Sequence, residues 1–141
     1  MIFIIAAAVI FLDQLTKFIV TKSLILNQQI SVIKGIFSLT LVHNRGAAFG
    51  MLQNQTPLLI VTSLFAIYLI YSNLKANNHG KIYSLALGLI LAGAVGNLID
   101  RLFLGYVIDF LDFRIWPVFN LADSAITIGG VLLGYSIINK R

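Results

Sequence analysis

Four apolar stretches, each close to the length of a bilayer crossing, leave a chain of this size few folds to choose from. They cover about residues 2–21, 57–74, 82–99 and 119–138. About 20 helical residues span the hydrocarbon core. Backbone polar groups find no partner in lipid, and a helix pairs its own. A chain that is 59% hydrophobic and 11% charged, with a mean hydropathy of +0.94, is no ordinary soluble domain. The expectation is an all-α membrane protein with four transmembrane helices, forming a single domain over residues 1–141. The first stretch lacks a basic start, is interrupted by Asp13 and Lys17, and is followed by no small-residue cleavage site. It reads as a retained span rather than a cleaved leader.

The longer connections lie on one side. Lys75, Lys81, Lys140 and Arg141 crowd into the short segments of the other side, which places both termini in the cytoplasm. Lys22, Lys34, Arg45, Arg101 and Arg114 then lie outside. Residues 22–55 alternate Phe37, Leu39 and Leu41 with Ser38, Thr40 and Val42, and then reach the turn signal His43-Asn44-Arg45-Gly46. A small β-rich platform over about residues 30–50 is expected on the outer face. Thr56-Pro57 reads as a helix start, with Thr56 as the cap. Trp116-Pro117 reads as a helix stop in the 101–118 connection. The net charge of +5 forms no basic stripe, so no nucleic-acid partner is expected. No cysteine is present, which removes thiol catalysis and zinc–thiolate sites.

The acids are few and crowded. All five are aspartate: Asp13, Asp100, Asp109, Asp112 and Asp123. A carboxylate at membrane depth costs roughly 2.5–3.5 kcal/mol, so such groups usually serve a site. With the termini inside, Asp13, Asn44, Arg45, Asn97, Asp100, Arg101, Asp109, Asp112, Asn120 and Asp123 all fall in one outer layer. Each cluster also has a plain structural reading. Asp13 and Lys17 stand four apart and can pair on one helix face. Asp100 beside Arg101 suggests an ordering ion pair at a helix end. Asn120 and Asp123 suit a capping box. Asp109 and Asp112 sit among Val107, Ile108, Phe110, Leu111 and Phe113, an apolar setting that a solvated acidic loop would not use.

Chemistry narrows next. The two histidines, His43 and His79, fall on opposite sides, and no His-Glu-x-x-His or Gly-x-Ser-x-Gly motif is present. No metal and no cofactor are expected. A pair of carboxylates sharing one proton can activate water and polarise a carbonyl, which is aspartic peptidase chemistry. A small transporter or channel subunit is the alternative, with Asp13, Asp100 and Asp123 as a proton or cation path. It calls for acids spread across depth. A purely structural membrane subunit explains the caps and ion pairs, but not the Asp109/Asp112 segment.

Five blocks carry a resemblance to bacterial lipoprotein signal peptidase, also called signal peptidase II. They are Asp13-Gln14-Leu15-Thr16-Lys17, Asn44-Arg45-Gly46-Ala47-Ala48-Phe49-Gly50, Gly96-Asn97-Leu98-Ile99-Asp100-Arg101, Val107-Ile108-Asp109-Phe110-Leu111-Asp112 and Phe119-Asn120-Leu121-Ala122-Asp123-Ser124. The resemblance spans residues 13–124, in the family's order. It implies a membrane aspartic endopeptidase that cuts diacylglyceryl-modified prolipoproteins just before the lipidated cysteine. Asp109 and Asp123 would then be the catalytic pair. Asn44, Arg45, Asn97, Asp100, Arg101 and Asn120 would line or order the site, with Asp13 and Lys17 in support. The expected partners are the diacylated substrate and membrane lipid. The expected state is a monomer in the bacterial inner membrane, its active site facing outward. Ile108, Phe110 and Phe113 are candidates for acyl-chain contact.

Overall fold

The computed structural model describes residues 1–47, 51–74 and 80–139. Lys75, His79, Lys140 and Arg141, which entered the topology argument, lie outside the described residues. The elements run α1 (Ile2–Ser23), β1 (Gln29–Ile33), β2 (Phe37–Asn44), α2 (Thr56–Leu74), α3 (Lys81–Leu104), β3 (Val107–Asp112) and α4 (Leu121–Ile138). All four helices are long and apolar enough to cross a membrane.

Helix α3 is the centre of the bundle and packs against each of the other three. Its sequence permits this, because Ala86, Gly88, Ala92, Gly93, Ala94 and Gly96 keep its surface low. Small residues let backbones approach where no hydrophobic force drives helices together in lipid. Ala6, Ile70, Leu87, Leu91 and Ala92 form the core between α1, α2 and α3. Large apolar side chains point outward instead, among them Phe3, Phe11, Phe18, Phe65, Tyr68 and Val131.

The sheet is antiparallel, in the order β1-β2-β3. Its third strand comes from the segment expected to be a simple connection. That strand is covered on both faces, with Val107, Ile108, Asp109, Phe110 and Asp112 all buried. Burial on both sides erases the alternation by which a half-exposed strand is recognised. Ile108 and Phe110 join Val20, Leu24 and Leu41 in a core that seats the sheet on the end of α1. Neither is therefore free to meet acyl chains; of the three candidates, Phe113 alone lines the cavity described below.

Local signals settle most element ends, with three corrections. Helix α3 runs past the expected stop at residue 99 to Leu104, so Asp100 and Arg101 lie within it. It ends at Gly105, whose left-handed backbone (φ 79°) turns the chain straight into β3. Trp116-Pro117 ends no helix and lies in the irregular segment before α4. Thr56 is the first residue of α2, and its hydroxyl donates to the Gly105 carbonyl at 3.3 Å.

Candidate active site

The site is assembled where α1, α3, β3 and the start of α4 meet. Asn120 is the N-cap of α4, and its side-chain oxygen accepts from the Asp123 N–H at 2.9 Å. The Asp123 Oδ2 accepts from the Asn120 N–H at 3.3 Å, which completes the capping box. Asp13 of α1 adds a second cap, its Oδ1 accepting from the Ala122 N–H at 2.9 Å. Two backbone donors that the first turn of a helix leaves unmet are thus satisfied. The plain capping reading of Asn120 and Asp123 holds, and the same cap carries Asp123 into the site.

Behind this start lies a buried charge cluster. Lys17 pairs with Asp13 at 2.8 Å and with Asp100 at 2.9 Å, all three side chains being almost fully enclosed. The expected Asp13–Lys17 pair is present. The expected Asp100–Arg101 pair is not. Consecutive helix residues point in different directions, so Asp100 faces α1 while Arg101 reaches the Gly46 carbonyl at 3.4 Å. Asp100 also accepts from the Ile108 N–H at 3.0 Å, tying the end of α3 to β3. Gln14 closes the cluster, donating to Asp100 Oδ1 at 3.1 Å and to the Gly96 carbonyl at 3.2 Å. Removing one member of such a buried group typically costs about 3–5 kcal/mol, because the other charges lose their partner.

Gly96 leaves room for this arrangement. A Cβ there would stand 2.7 Å from Asp13 Oδ2, the oxygen that Lys17 holds. Gly96→Ala is therefore expected to destabilise the protein by about 1–3 kcal/mol. Gly134→Ala, where a Cβ meets open space, should not. Thermal unfolding of both variants in the same detergent checks this, and equal melting temperatures would contradict it.

Asp109 lies on β3 opposite Val42 and is 1% exposed. It accepts from Asn120 Nδ2 at 2.7 Å on Oδ1 and from Asn44 Nδ2 at 2.9 Å on Oδ2. Asp123 accepts from Asn97 Nδ2 at 2.7 Å on Oδ1. Three asparagines thus serve the two aspartates, and each amide has its orientation fixed from behind. The Asn44 carbonyl is held by the Gly46 N–H at 2.9 Å, the Asn120 carbonyl by the Asp123 N–H at 2.9 Å, and the Asn97 carbonyl by Lys17 at 3.2 Å. Every one of those partners can only donate, so each NH₂ must face a carboxylate. Among the described residues no buried side-chain nitrogen or oxygen lacks a partner. Burial, then the nearby Asp123 charge, pushes the Asp109 carboxyl up to about 7, although Asn44 and Asn120 pull the other way.

Asp109 and Asp123 open onto a cavity of about 900 Å³ that Asn44, Arg45, Asn97 and Arg101 also line. Asp13, Lys17, Asp100 and Asn120 stand outside its lining and support it through the bonds above. Asp112 is not brought to the cavity. It accepts from the Thr40 hydroxyl at 2.8 Å and from the Arg114 N–H at 2.9 Å, which shapes the turn after β3. Among the described residues no group of three or more His, Asp or Glu side chains could hold a metal ion.

Several lining residues escaped the sequence reading. Ile126 and Thr127 lie three and four positions after Asp123 and so share its helix face, a signal that could have found them. Beside Phe113, a candidate from the sequence, Ile115, Trp116, Pro117, Val118 and Phe119 complete an apolar wall that sequence spacing does not reveal. His43 also lines the cavity and stacks on Tyr106, with ring centres 3.9 Å apart. Partial burial and then the Arg45 charge hold its imidazole below its ordinary range, in the neutral form near pH 7.

Comparison with known proteins follows the same lines. Residues 5–139 match the family model described as signal peptidase (SPase) II. The chain is 52% identical to the lipoprotein signal peptidase of Caldanaerobacter subterraneus subsp. tengcongensis, over 99% of this chain and 97% of that protein. It is 48% identical to that of Halothermothrix orenii, over 94% and 92%. A solved bacterial membrane enzyme structure, obtained by the in meso method at 2.3 Å, superposes with a TM-score of 0.91 at 32% identity. That match covers 98% of this chain and 90% of the other.

Proposed function

The chain belongs to the signal peptidase II family, and from that premise we propose that it is an aspartic endopeptidase with Asp109 and Asp123 as its catalytic pair. Family membership makes it a multi-pass bacterial membrane hydrolase that removes signal peptides from prolipoproteins. The catalytic type rests on one observation above all. The buried Asp109 and the half-buried Asp123 face one cavity, bridged by a single asparagine, whose side-chain NH₂ bonds to the Asp109 carboxylate and whose backbone N–H bonds to the Asp123 carboxylate.

The chemistry follows from their surroundings. Two carboxylates that share one asparagine partner and repel each other electrostatically are suited to share one proton. Asp109, 1% exposed beside the half-buried Asp123, is the member for which charge costs more, and it is assigned the proton. The Asp123 carboxylate takes a proton from water, and the water oxygen bonds to the scissile carbonyl carbon. The Asp109 proton meets the developing oxyanion. Collapse of the tetrahedral intermediate breaks the C–N bond as a proton passes to the leaving amine, and the pair again shares one proton. Arg101, within electrostatic reach of both aspartates, limits their repulsion.

In this reading the substrate is diacylglyceryl-modified and the cut falls just before the lipidated cysteine. The enzyme works as a monomer with its termini in the cytoplasm and its active site at the outer face. Acids spread across depth, as a transporter would need, are not what the bonds describe: Asp13, Asp100, Asp109 and Asp123 join one network. The test is to mix the purified protein in detergent with a synthetic diacylated prolipoprotein and read the products by mass spectrometry. Cleavage at any bond other than the one before the modified cysteine would overturn the assignment.

The shared proton also predicts a pH profile. Above about 7 the pair loses its last proton, so kcat/KM should fall on the alkaline side with an apparent pKa near that value. The value belongs to the pair rather than to one residue. A rate that stays flat well past that point would show that no such proton is needed.

A further inference from the structure

Lys17 does not line the cavity, yet the Asn97 bond that orients Asp123 Oδ1 leads back to it. We propose that Lys17 is a positioning residue for the aspartate pair: by holding the Asn97 amide in one orientation, it keeps Asp123 an acceptor and leaves the shared proton on Asp109. The inference rests on the catalytic reading of that pair.

The argument runs through donors and acceptors. An ammonium group has three donors and no acceptor. Here they point at Asp13 Oδ2 at 2.8 Å, Asp100 Oδ2 at 2.9 Å and Asn97 Oδ1 at 3.2 Å. A flipped Asn97 would set its NH₂ against the ammonium and its carbonyl against Asp123, and both contacts repel. The amide is therefore locked with its NH₂ on Asp123 Oδ1 at 2.7 Å. The same Asn97 carbonyl accepts from Asn120 Nδ2 at 3.0 Å, and that nitrogen also reaches Asp109 Oδ1 at 2.7 Å. One amide oxygen thus joins the lysine to both members of the pair. Asp13 and Asp100 hold the ammonium from the other side, so it cannot drift toward the carboxylates it serves indirectly.

Charge acts in the same place. Burial and the Asp123 charge push the Asp109 carboxyl up, and Lys17 pulls against them. The other charged and titratable groups facing the pair are Asp13 from α1, Asp100 and Arg101 from α3, and His43 and Arg45 from β2 and the turn after it. Of these charged groups only Lys17 bonds to the Asn97 carbonyl, which it shares with the Asn120 amide. Removing the lysine should free the amide and let the pair keep its proton to higher pH.

The experiment compares kcat, KM and the pH dependence of kcat/KM for wild type, Lys17→Met, Lys17→Gln and the double variant Lys17→Met/Asp13→Asn. The double variant removes one of the two carboxylates that loss of the lysine strands, so it keeps a folded protein in the comparison. Lys17→Gln retains a donor at this place. Lys17→Met and the double variant are expected to lose about ten- to a hundredfold in kcat with KM little changed. The alkaline limb should move upward by on the order of half a unit to one unit in Lys17→Met, and less in the double variant, where a negative charge leaves with the positive one. Lys17→Gln should regain part of the lost kcat. A lysine that only braced the helices would lower the active fraction and leave the limb where it stands, and that result would overturn the proposal. Folded variants with wild-type kcat would do the same. If Asp109→Asn also cleaves normally, the catalytic reading fails; if Asp109→Asn is inactive and the lysine variants behave as wild type, only this inference fails.

Discussion

Asparagine in place of either Asp109 or Asp123 is expected to reduce cleavage of a diacylated prolipoprotein by about 10⁴-fold or more, while the protein stays folded. The size follows from the two carboxylates acting as a unit, in which losing one member costs nearly as much as losing both. The folded state should survive because asparagine keeps an oxygen where each carboxylate accepts a bond. At position 109 that oxygen can still face Asn120 or Asn44, whose amides approach at 2.7 and 2.9 Å. At position 123 it can still receive the Asn97 amide. Purified variants would be compared with wild type for initial rate and for melting in the same micelles. A variant that melts normally and cleaves at a tenth of the wild-type rate or faster would remove its residue from the pair.

The second large effect concerns lipid. Matched substrates with and without the diacylglyceryl group should differ by about 100-fold or more in kcat/KM. The cavity of about 900 Å³ is walled on one side by Phe113, Ile115, Trp116, Pro117, Val118 and Phe119 and on another by Ile126 and Ile128. Burying a methylene is worth roughly 0.8 kcal/mol, so four of them approach 3 kcal/mol, and each 1.4 kcal/mol is about tenfold. Binding energy used to hold the scissile bond in register should appear in kcat as well as in KM. Equal specificity constants for the two substrates would show that the enzyme reads the peptide alone. Trp116→Ala and Ile126→Ala would then be expected to leave the lipidated substrate unaffected, whereas acyl contact predicts a selective loss on that substrate.

Much of this architecture is written in short-range patterns. Span length follows from runs of apolar residues, because each backbone group in lipid must be paired within its own helix. The Asp13–Lys17 pair follows from a spacing of four, and the Asn120–Asp123 box from a spacing of three; both are realised as bonds. The resemblance placed the five polar blocks in order. What local pattern missed has a common cause. Strand β3 is covered on both faces and shows no alternation. The apolar wall at 113–119 is irregular chain shaped by the Asp112 turn and by Arg114, whose φ of 68° is left-handed.

The sequence by itself determined the four helices, the cap of α4 and the crowding of the polar residues, since each depends on neighbours a few positions apart. Only the tertiary structure decided who bonds to whom across that layer. Asp100 leaves its neighbour Arg101 for Lys17 of another helix, because successive side chains on a helix diverge. Asn97 turns its NH₂ to Asp123 because an ammonium stands behind its carbonyl. Gly96 is needed because Asp13 crosses the space a side chain would fill. Such choices are made by donors and acceptors from distant segments meeting in a place closed to water, where each must find a partner.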